Sequence, residues 1–390
     1  MKKISCFLLA FTLLFVLGTN SFAINEANIG AETQSSVNEF DVDAKSAILI
    51  EANTGTVLYA KNETNEAPPA SVTKIMTLLL VMESINDGRI SLKDKILISA
   101  YAASMGGSQV FLEEGEEMSV EELIKCTVIA SANDAAVALA EHIGGSEKNF
   151  VNMMNKRASE LNMKNTNFEN VTGLDDTTKN HYTSALDIAI MSRELIKNDL
   201  ILKYSTLWQD TIRGGEFTLT NTNRLVRYYD GCNGLKTGST DKAGYCISAT
   251  AKRGDLQLIA VVMGAETCDI RNATARNLLD FGFSNYGIYK NAETFIENIN
   301  IFNGTKDKAP VYSSEFLTIV PKNMIKKVEL IYEIPEHVAA PLKSGDVVGR
   351  IIYKIDGEQI GASDIFIKDE IDKITVIDIF KELIKNIFDL

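Results

Sequence analysis

Residues 68 to 82 constrain this chain more than any other stretch. They read Pro68-Pro69-Ala70-Ser71-Val72-Thr73-Lys74-Ile75-Met76-Thr77-Leu78-Leu79-Leu80-Val81-Met82. The two prolines hold the backbone extended and cannot sit inside a helix. The residues after them are strong helix formers with no breaker among them. The run is apolar almost all the way round, the pattern of a buried central helix rather than a surface one. Its polar side chains, Ser71, Thr73 and Lys74 with Thr77 just behind, gather in the first two turns. Ser71 and Lys74 are three apart and share a face. A lysine at the mouth of a buried helix is costly unless it has a partner or a task. One reading is a serine nucleophile with a lysine base one turn along. The other is a serine N-cap with a snorkelling lysine. The spacing alone does not decide, because Ser239-Thr240-Asp241-Lys242 fits it too.

The chain of 390 residues is long enough for two domains with a sizeable core in each. Its start reads as a secretory signal peptide over residues 1–23: Lys2 and Lys3, an apolar run from Ile4 to Gly18, and Ser21-Phe22-Ala23 as the cleavage site. The run is short for a membrane span. Removing it takes away two lysines and no acid, so the mature chain is more negative than the −13 of the full sequence. An acidic surface argues against nucleic acid as a partner. Cys6 leaves with the signal. Cys126, Cys232, Cys246 and Cys268 remain, with no metal-site spacing, and the apolar runs around Cys126 and Cys246 make them expected free thiols.

Residues 24–40 are polar and small, and read as a disordered leader. Ala47–Glu51 and Thr56–Ala60 form an expected hairpin around Asn53-Thr54-Gly55. The central helix is expected to stop near Asp87-Gly88. A short strand is expected at Gln109–Leu112. Ser119 with Glu122 forms a capping box for a helix through Val128. Helices are also expected from Asp134 to His142, from Ser146 to about Leu161, and from Ser184 to about Lys197. Phe217–Thr220 is a strand. Gly234–Thr240, Tyr245–Lys252 and Leu256–Gly264 form a meander, and Arg271–Phe281 a closing helix. Hairpin, helix cluster, meander and helix together predict an α+β fold, an antiparallel sheet backed by helices. This first body spans residues 41–288. Residues 292–370, with the Asp356-Gly357 turn between two apolar runs, read as a small all-β domain.

Several chemistries are absent. The three histidines, His142, His181 and His337, form no His-Glu-x-x-His, and no metal or cofactor is expected. There is no Gly-x-Ser-x-Gly elbow and no phosphate-binding glycine loop. Two other stretches bear on Ser71. Ser131-Ala132-Asn133 interrupts an apolar helical region, and alone reads as a helix N-cap. Lys236-Thr237-Gly238-Ser239 lies on an expected strand, and alone reads as a polar strand end. In order, Ser-x-x-Lys, Ser-x-Asn and Lys-Thr-Gly form the set used by penicillin-binding proteins and class A β-lactamases.

The chain resembles the low-molecular-mass penicillin-binding proteins, the serine D-alanyl-D-alanine carboxypeptidases. The resemblance runs from about Val42 to the C-terminus. It is carried by Pro68 to Thr77, Ser131 to Ala135, Asn233 to Gly238 and Ala260 to Gly264, and is looser over the β domain. The middle motif has Ala132 where many relatives have glycine. The resemblance implies a β-lactamase/DD-peptidase-like fold and an acyl-enzyme on Ser71, with peptidoglycan stem peptides and β-lactams as the molecules bound. Lys74 would be the base, which requires it to be neutral; burial and the charge of Lys236 both favour that. Ser131 would relay a proton to the leaving amine. Asn133 would hold a substrate amide, and Lys236, Thr237, Gly238 and Ser239 the terminal carboxylate, with Arg224 near that pocket. The backbone N–H groups of Ser71 and Ser239 would form the oxyanion hole. His181 and the Asp175-Asp176 turn read as structural.

A β-lactamase would need a deacylating glutamate, usually in Glu-x-x-Leu-Asn; here Leu161-Asn162 is preceded by Ala158 at that position. A third possibility is a non-catalytic wall-binding protein, which a broken motif would favour; none is broken. Finally, residues 374–390 form an amphipathic pattern. Val376, Ile377, Ile379, Phe380, Leu383, Ile384, Ile387, Phe388 and Leu390 fall on one half of a helix, with the charges on the other. Packing on the β domain or in a dimer is one reading. The other is a helix lying in the outer face of the cytoplasmic membrane, holding an exported enzyme beside the wall.

Overall fold

The computed structural model describes residues 42–176 and 178–388. The expected signal peptide and leader lie outside the described residues. The first layer is a five-stranded antiparallel sheet with the spatial order Val57–Lys61, Ser46–Glu51, Leu256–Ala265, Gly244–Arg253, Cys232–Thr240. The N-terminal hairpin and the later meander thus share one sheet, as the sequence predicts. The hairpin closes on the buried Glu51 carboxylate, which accepts the N–H groups of Asn53 and Thr54 at 2.9 and 2.7 Å.

Both faces of the inner strands are buried. Leu49 and Leu258 face the closing helix Cys268–Asn285 across Gly282, where a side chain would meet Leu258 at 2.5 Å. Ile48, Ile50, Ile259 and Val261 join the core of the helical cluster on the other face. That cluster surrounds Lys74–Asn86, the central helix, in which every residue from Lys74 to Met82 is buried. A single turn of 3₁₀ helix, Ala70–Thr73, precedes it. Around it pack Val120–Ile129, Asn133–Gly144, Glu147–Glu160 and Ala185–Leu195. Ser119, Ser146 and Ser184 cap three of these helices through their hydroxyls, and the Ser119–Glu122 capping box is complete.

The strand expected at Gln109–Leu112 is not one. The N–H groups of Val110 and Leu112 go to the Asp134 carboxylate at 3.0 and 3.1 Å, and the Val110 and Phe111 carbonyls go to Arg213. Two side chains from elsewhere satisfy the backbone, so no ladder is needed. The short strands nearby are Lys95–Leu97 and Glu117–Ser119, paired with each other. Helix Asp199–Ser205 and strand Gln209–Ile212 were not anticipated.

Beyond the closing helix, Tyr286–Asn291 pairs with Phe316–Pro321. Next comes a six-stranded sheet, in which Val347–Ile355 and Glu358–Ile367 form the hairpin whose turn takes positive φ at both Asp356 and Gly357. This all-β part has its own core of Ile299, Val311, Ile351, Tyr353, Ile365 and Ile367. The last element is helix Val376–Phe388, and Val376, Ile377, Ile379, Phe380, Leu383, Ile384 and Ile387 are all exposed on it.

Candidate active site

Ser71 stands on the 3₁₀ turn and Lys74 opens the α-helix, so one turn of chain brings the two together: Lys74 Nζ lies 2.9 Å from Ser71 Oγ. The turn is held from two sides. Gly173 abuts it so closely that a side chain there would stand 1.8 Å from the Ala70 carbonyl oxygen. On the other side runs the edge strand Cys232–Thr240, and a methyl group at Gly238 would stand 2.7 Å from the Ser71 amide nitrogen. Only glycine allows that approach. It brings the free edge of a sheet, with its unpaired backbone groups, beside Ser71. Ala70 and Ser131 both take positive φ, 49° and 63°, so the residues at the hearts of two motifs are in a conformation that non-glycine residues seldom adopt.

Lys74 is fully buried. Its Nζ has two further neighbours, Asn133 Oδ1 at 2.6 Å and the Thr172 carbonyl at 2.8 Å. The Asn133 amide is oriented by its Nδ2, which donates to the Gly106 carbonyl at 2.6 Å, so the oxygen must face the lysine. Burial, and after it the charge of Lys236, hold the Lys74 amine well below the ordinary lysine range, with Asp134 pulling the other way. A neutral amine has two N–H bonds and one lone pair. Both oxygens, of Asn133 and Thr172, can only accept. They therefore take the two N–H bonds, and the lone pair is left facing the Ser71 hydroxyl.

Lys236 is also fully buried and donates to the Thr237 carbonyl at 2.9 Å. Burial and the nearby Arg271 push its pKa down to about 7. Thr237 Oγ1 bonds Thr222 Oγ1 at 2.8 Å, and Ser239 is exposed at the strand end. Arg224 sits on the surface, with only a 3.9 Å ion pair to the exposed Asp269. Ser131 stands at the joint between two helices, and its hydroxyl makes no hydrogen bond among the described residues. The relay expected of it is thus not a bond already formed to Lys74. Asn133, expected to face substrate, also accepts from the Lys74 amine.

Sequence reasoning missed three contributors. Thr172 and Gly106 act through main-chain carbonyls, which carry no side-chain signature. Arg271 is buried, its guanidinium bonded to Asn272 Oδ1 and Cys268 Sγ, with no carboxylate partner among the described residues. It precedes the buried Thr274, Ala275 and Leu278 on the same stripe of its helix, and a charge on an apolar stripe was the signal available. His181 is structural as expected. Its Nδ1 accepts the Glu169 N–H at 3.0 Å, so Nε2 donates to Thr73 Oγ1 at 2.8 Å, and burial pushes its pKa down to about 4. The four cysteines are free.

Residues 32–267 match the family model described as D-alanyl-D-alanine carboxypeptidase, and residues 283–373 match that of the penicillin-binding protein 5 C-terminal domain. The chain is similar to D-alanyl-D-alanine carboxypeptidase DacF of Bacillus subtilis, 43% identical, with 96% of this chain and 95% of that one covered. Among solved structures, penicillin-binding protein 5 from Haemophilus influenzae is 32% identical with a TM-score of 0.76, over 86% of this chain and all of that one. Penicillin-binding protein D2 from Listeria monocytogenes, in its ampicillin-bound form, is 30% identical with a TM-score of 0.58, over 63% of this chain and 99% of that one. With the Ser71–Lys74 pair, the edge strand and the β-rich C-terminal part all matched, this chain belongs to the D-alanyl-D-alanine carboxypeptidase family of serine hydrolases.

Proposed function

We propose that this enzyme removes the terminal D-alanine of peptidoglycan stem peptides through an acyl-enzyme on Ser71. The observation that carries the reading is the Lys74 amine, with two acceptor-only oxygens on its N–H bonds and the Ser71 hydroxyl at its third position. The Ser71 proton passes to Lys74 Nζ as Oγ attacks the carbonyl of the penultimate residue. The oxyanion is received by the N–H groups of Ser71 and Ser239, which the close passage of Gly238 brings to one side of the nucleophile. The C–N bond then breaks, and the departing amine takes up a proton passed from Lys74 by way of Ser131. Water later attacks the ester and frees Ser71. Lys236 and Arg271, two buried cations without a carboxylate partner among the described residues, suit the substrate's terminal carboxylate. Thr237 and Ser239 supply hydroxyls beside them, Gly238 the close approach, Asn133 its remaining amide N–H, and Arg224 a long-range charge at the rim.

The direct test is release of free D-alanine from a peptide ending in D-Ala-D-Ala. A second measurement locates the nucleophile. Benzylpenicillin is expected to add its mass to the protein, and peptide mapping to place the adduct on Ser71. An adduct on Ser239, or none, overturns the assignment. A β-lactamase reading lacks its deacylating carboxylate, since the corresponding Ala158 is a buried core residue.

The same reading includes location. The N-terminal segment serves as the export signal, residues 41–288 and 292–370 act as catalytic and all-β domains, and the final helix rests in the outer surface of the membrane. No helix among the described residues is long and apolar enough to cross a membrane. Support for surface binding is the continuous exposed apolar face from Val376 to Ile387, which a helix of this length cannot leave in water cheaply. Deleting residues 374–390 is expected to move the protein from the membrane fraction to the soluble one. A truncated protein that stays with the membrane refutes the anchor.

A further inference from the structure

Two consecutive main-chain carbonyls dock on the central helix behind the catalytic pair. That of Val171 accepts from Thr77 Oγ1 at 2.7 Å, and that of Thr172 from Lys74 Nζ at 2.8 Å. A peptide unit is planar and trans, so holding its N–H fixes where its carbonyl points. The N–H that shares a plane with the Val171 carbonyl belongs to Thr172; the one that shares a plane with the Thr172 carbonyl belongs to Gly173. Both go to a single atom. Asn170 Oδ1 accepts Thr172 N–H at 3.1 Å and Gly173 N–H at 2.7 Å. The other end of the same amide, Nδ2, donates to the Leu174 carbonyl at 2.7 Å, which prevents the amide from flipping. The Val171 N–H, one peptide earlier, goes to Glu147 at 3.1 Å.

We propose that Asn170 is a positioning residue for proton transfer: by gripping the Thr172–Gly173 peptide it sets the Thr172 carbonyl as the second acceptor of Lys74, and so aims the amine's lone pair at Ser71. The proposal rests on Lys74 being the base. Without the grip the peptide can rotate, one N–H of the amine loses its acceptor, and the lone pair spends less time directed at the hydroxyl. Among the described residues the Asn170 side chain bonds only its own loop, at Thr172, Gly173 and Leu174, and neither Lys236 nor the edge strand, so the role assigned to it is in rate and not in substrate binding.

The experiment compares the full-length protein with Asn170→Ala and Asn170→Asp, using benzylpenicillin and stopped-flow kinetics to separate the reversible dissociation constant from the acylation rate constant. Asn170→Ala is expected to lower the acylation rate constant by about 10- to 100-fold with the dissociation constant unchanged, since a misplaced catalytic group costs that much. Asn170→Asp keeps the accepting oxygen and is expected to recover most of the rate. Its added negative charge also favours the charged form of Lys74, which Lys236 and Asp134 already face from the edge strand and the neighbouring helix. The acid limb of its pH–rate profile is therefore expected to move to higher pH. Asn170→Ala acylating at the wild-type rate, or losing affinity rather than rate, overturns the positioning role; so does Asn170→Asp behaving like Asn170→Ala with its profile unmoved. Should Asn170→Ala fail to fold, the rate and profile of Asn170→Asp decide alone. Lys74→Ala is measured alongside. If that variant acylates normally, the base assignment itself falls and the proposal with it. If it is inactive and Asn170→Ala is not impaired, only the positioning role falls.

Discussion

Replacing Lys74 by alanine is expected to slow acylation of Ser71 by at least about a thousandfold, near the upper part of the range for loss of a general base. The geometry explains why nothing else substitutes. Ser71 Oγ has one basic neighbour, at 2.9 Å, and the other groups that touch that amine, Asn133 Oδ1 and the Thr172 carbonyl, cannot take up a proton at neutral pH. The fold is expected to survive, because the helix keeps its apolar contacts and a buried amine is itself a cost. In the wild type, acylation needs the neutral amine, so its rate falls as pH drops below the depressed pKa of Lys74. The measurement is the rate of adduct formation by intact mass, with circular dichroism as the check on folding. A variant acylated at the wild-type rate removes Lys74 from the mechanism.

Lys236→Ala is expected to act on recognition instead. Removing one partner of a buried charge pair costs roughly 2–5 kcal/mol, so kcat/KM should fall by about 30-fold or more, carried largely by KM. The pH dependence sharpens the test. In the free enzyme Lys236 has a pKa of about 7. A carboxylate favours the charged amine, so binding draws in a proton above that pH, and KM rises as pH climbs past about 7. Calorimetry in buffers of different ionisation enthalpy reads the proton directly; no uptake at pH 8 overturns this. Stability moves with pH as well. The folded pKa lies below the unfolded value near 10.5, so between about 7 and 10.5 the unfolded chain holds more protons and stability rises with pH. A Lys236→Met variant escapes the cost of the buried ammonium, up to about 5 kcal/mol for a shift of that size. It is expected to unfold at a higher temperature than the wild type at pH 7, with the gap narrowing toward pH 10.

These two lysines were legible in the sequence for different reasons. Ser71 and Lys74 are close along the chain, so one helical turn supplies their contact. Lys236 needed the meander, whose apolar runs and turns are strong local signals. The same holds for the helix starts at Ser119, Ser146 and Ser184, where the cap and the amide it accepts lie three residues apart. What stayed hidden is non-local. Gln109–Leu112 has the composition of a strand, but Asp134 and Arg213, distant in sequence, take its backbone groups. Thr172 serves through a carbonyl that any residue would have. Arg271 lies inside an otherwise ordinary helix, and only the fold brings its charge close enough to depress the Lys236 pKa. The short helix Asp199–Ser205 buries only Ile201, Tyr204 and Ser205, too little periodicity to read.

The pairing of Ser46–Glu51 with Leu258–Met263 sets an order of events in time. The first strand of the catalytic sheet cannot complete its ladder until nearly all of the catalytic chain has been made, and the strand carrying Gly238 docks against Ser71 as part of that same late closure. Contacts this distant in sequence form slowly, because a large loop must close first. Until they form, Ser71 has Lys74 nearby but neither the strand edge nor the burial that depresses the amine's pKa. A chain arrested before residue 256 is therefore expected to be inert toward penicillin, and the onset of acylation during refolding is expected to report the joining of the two ends of the sheet.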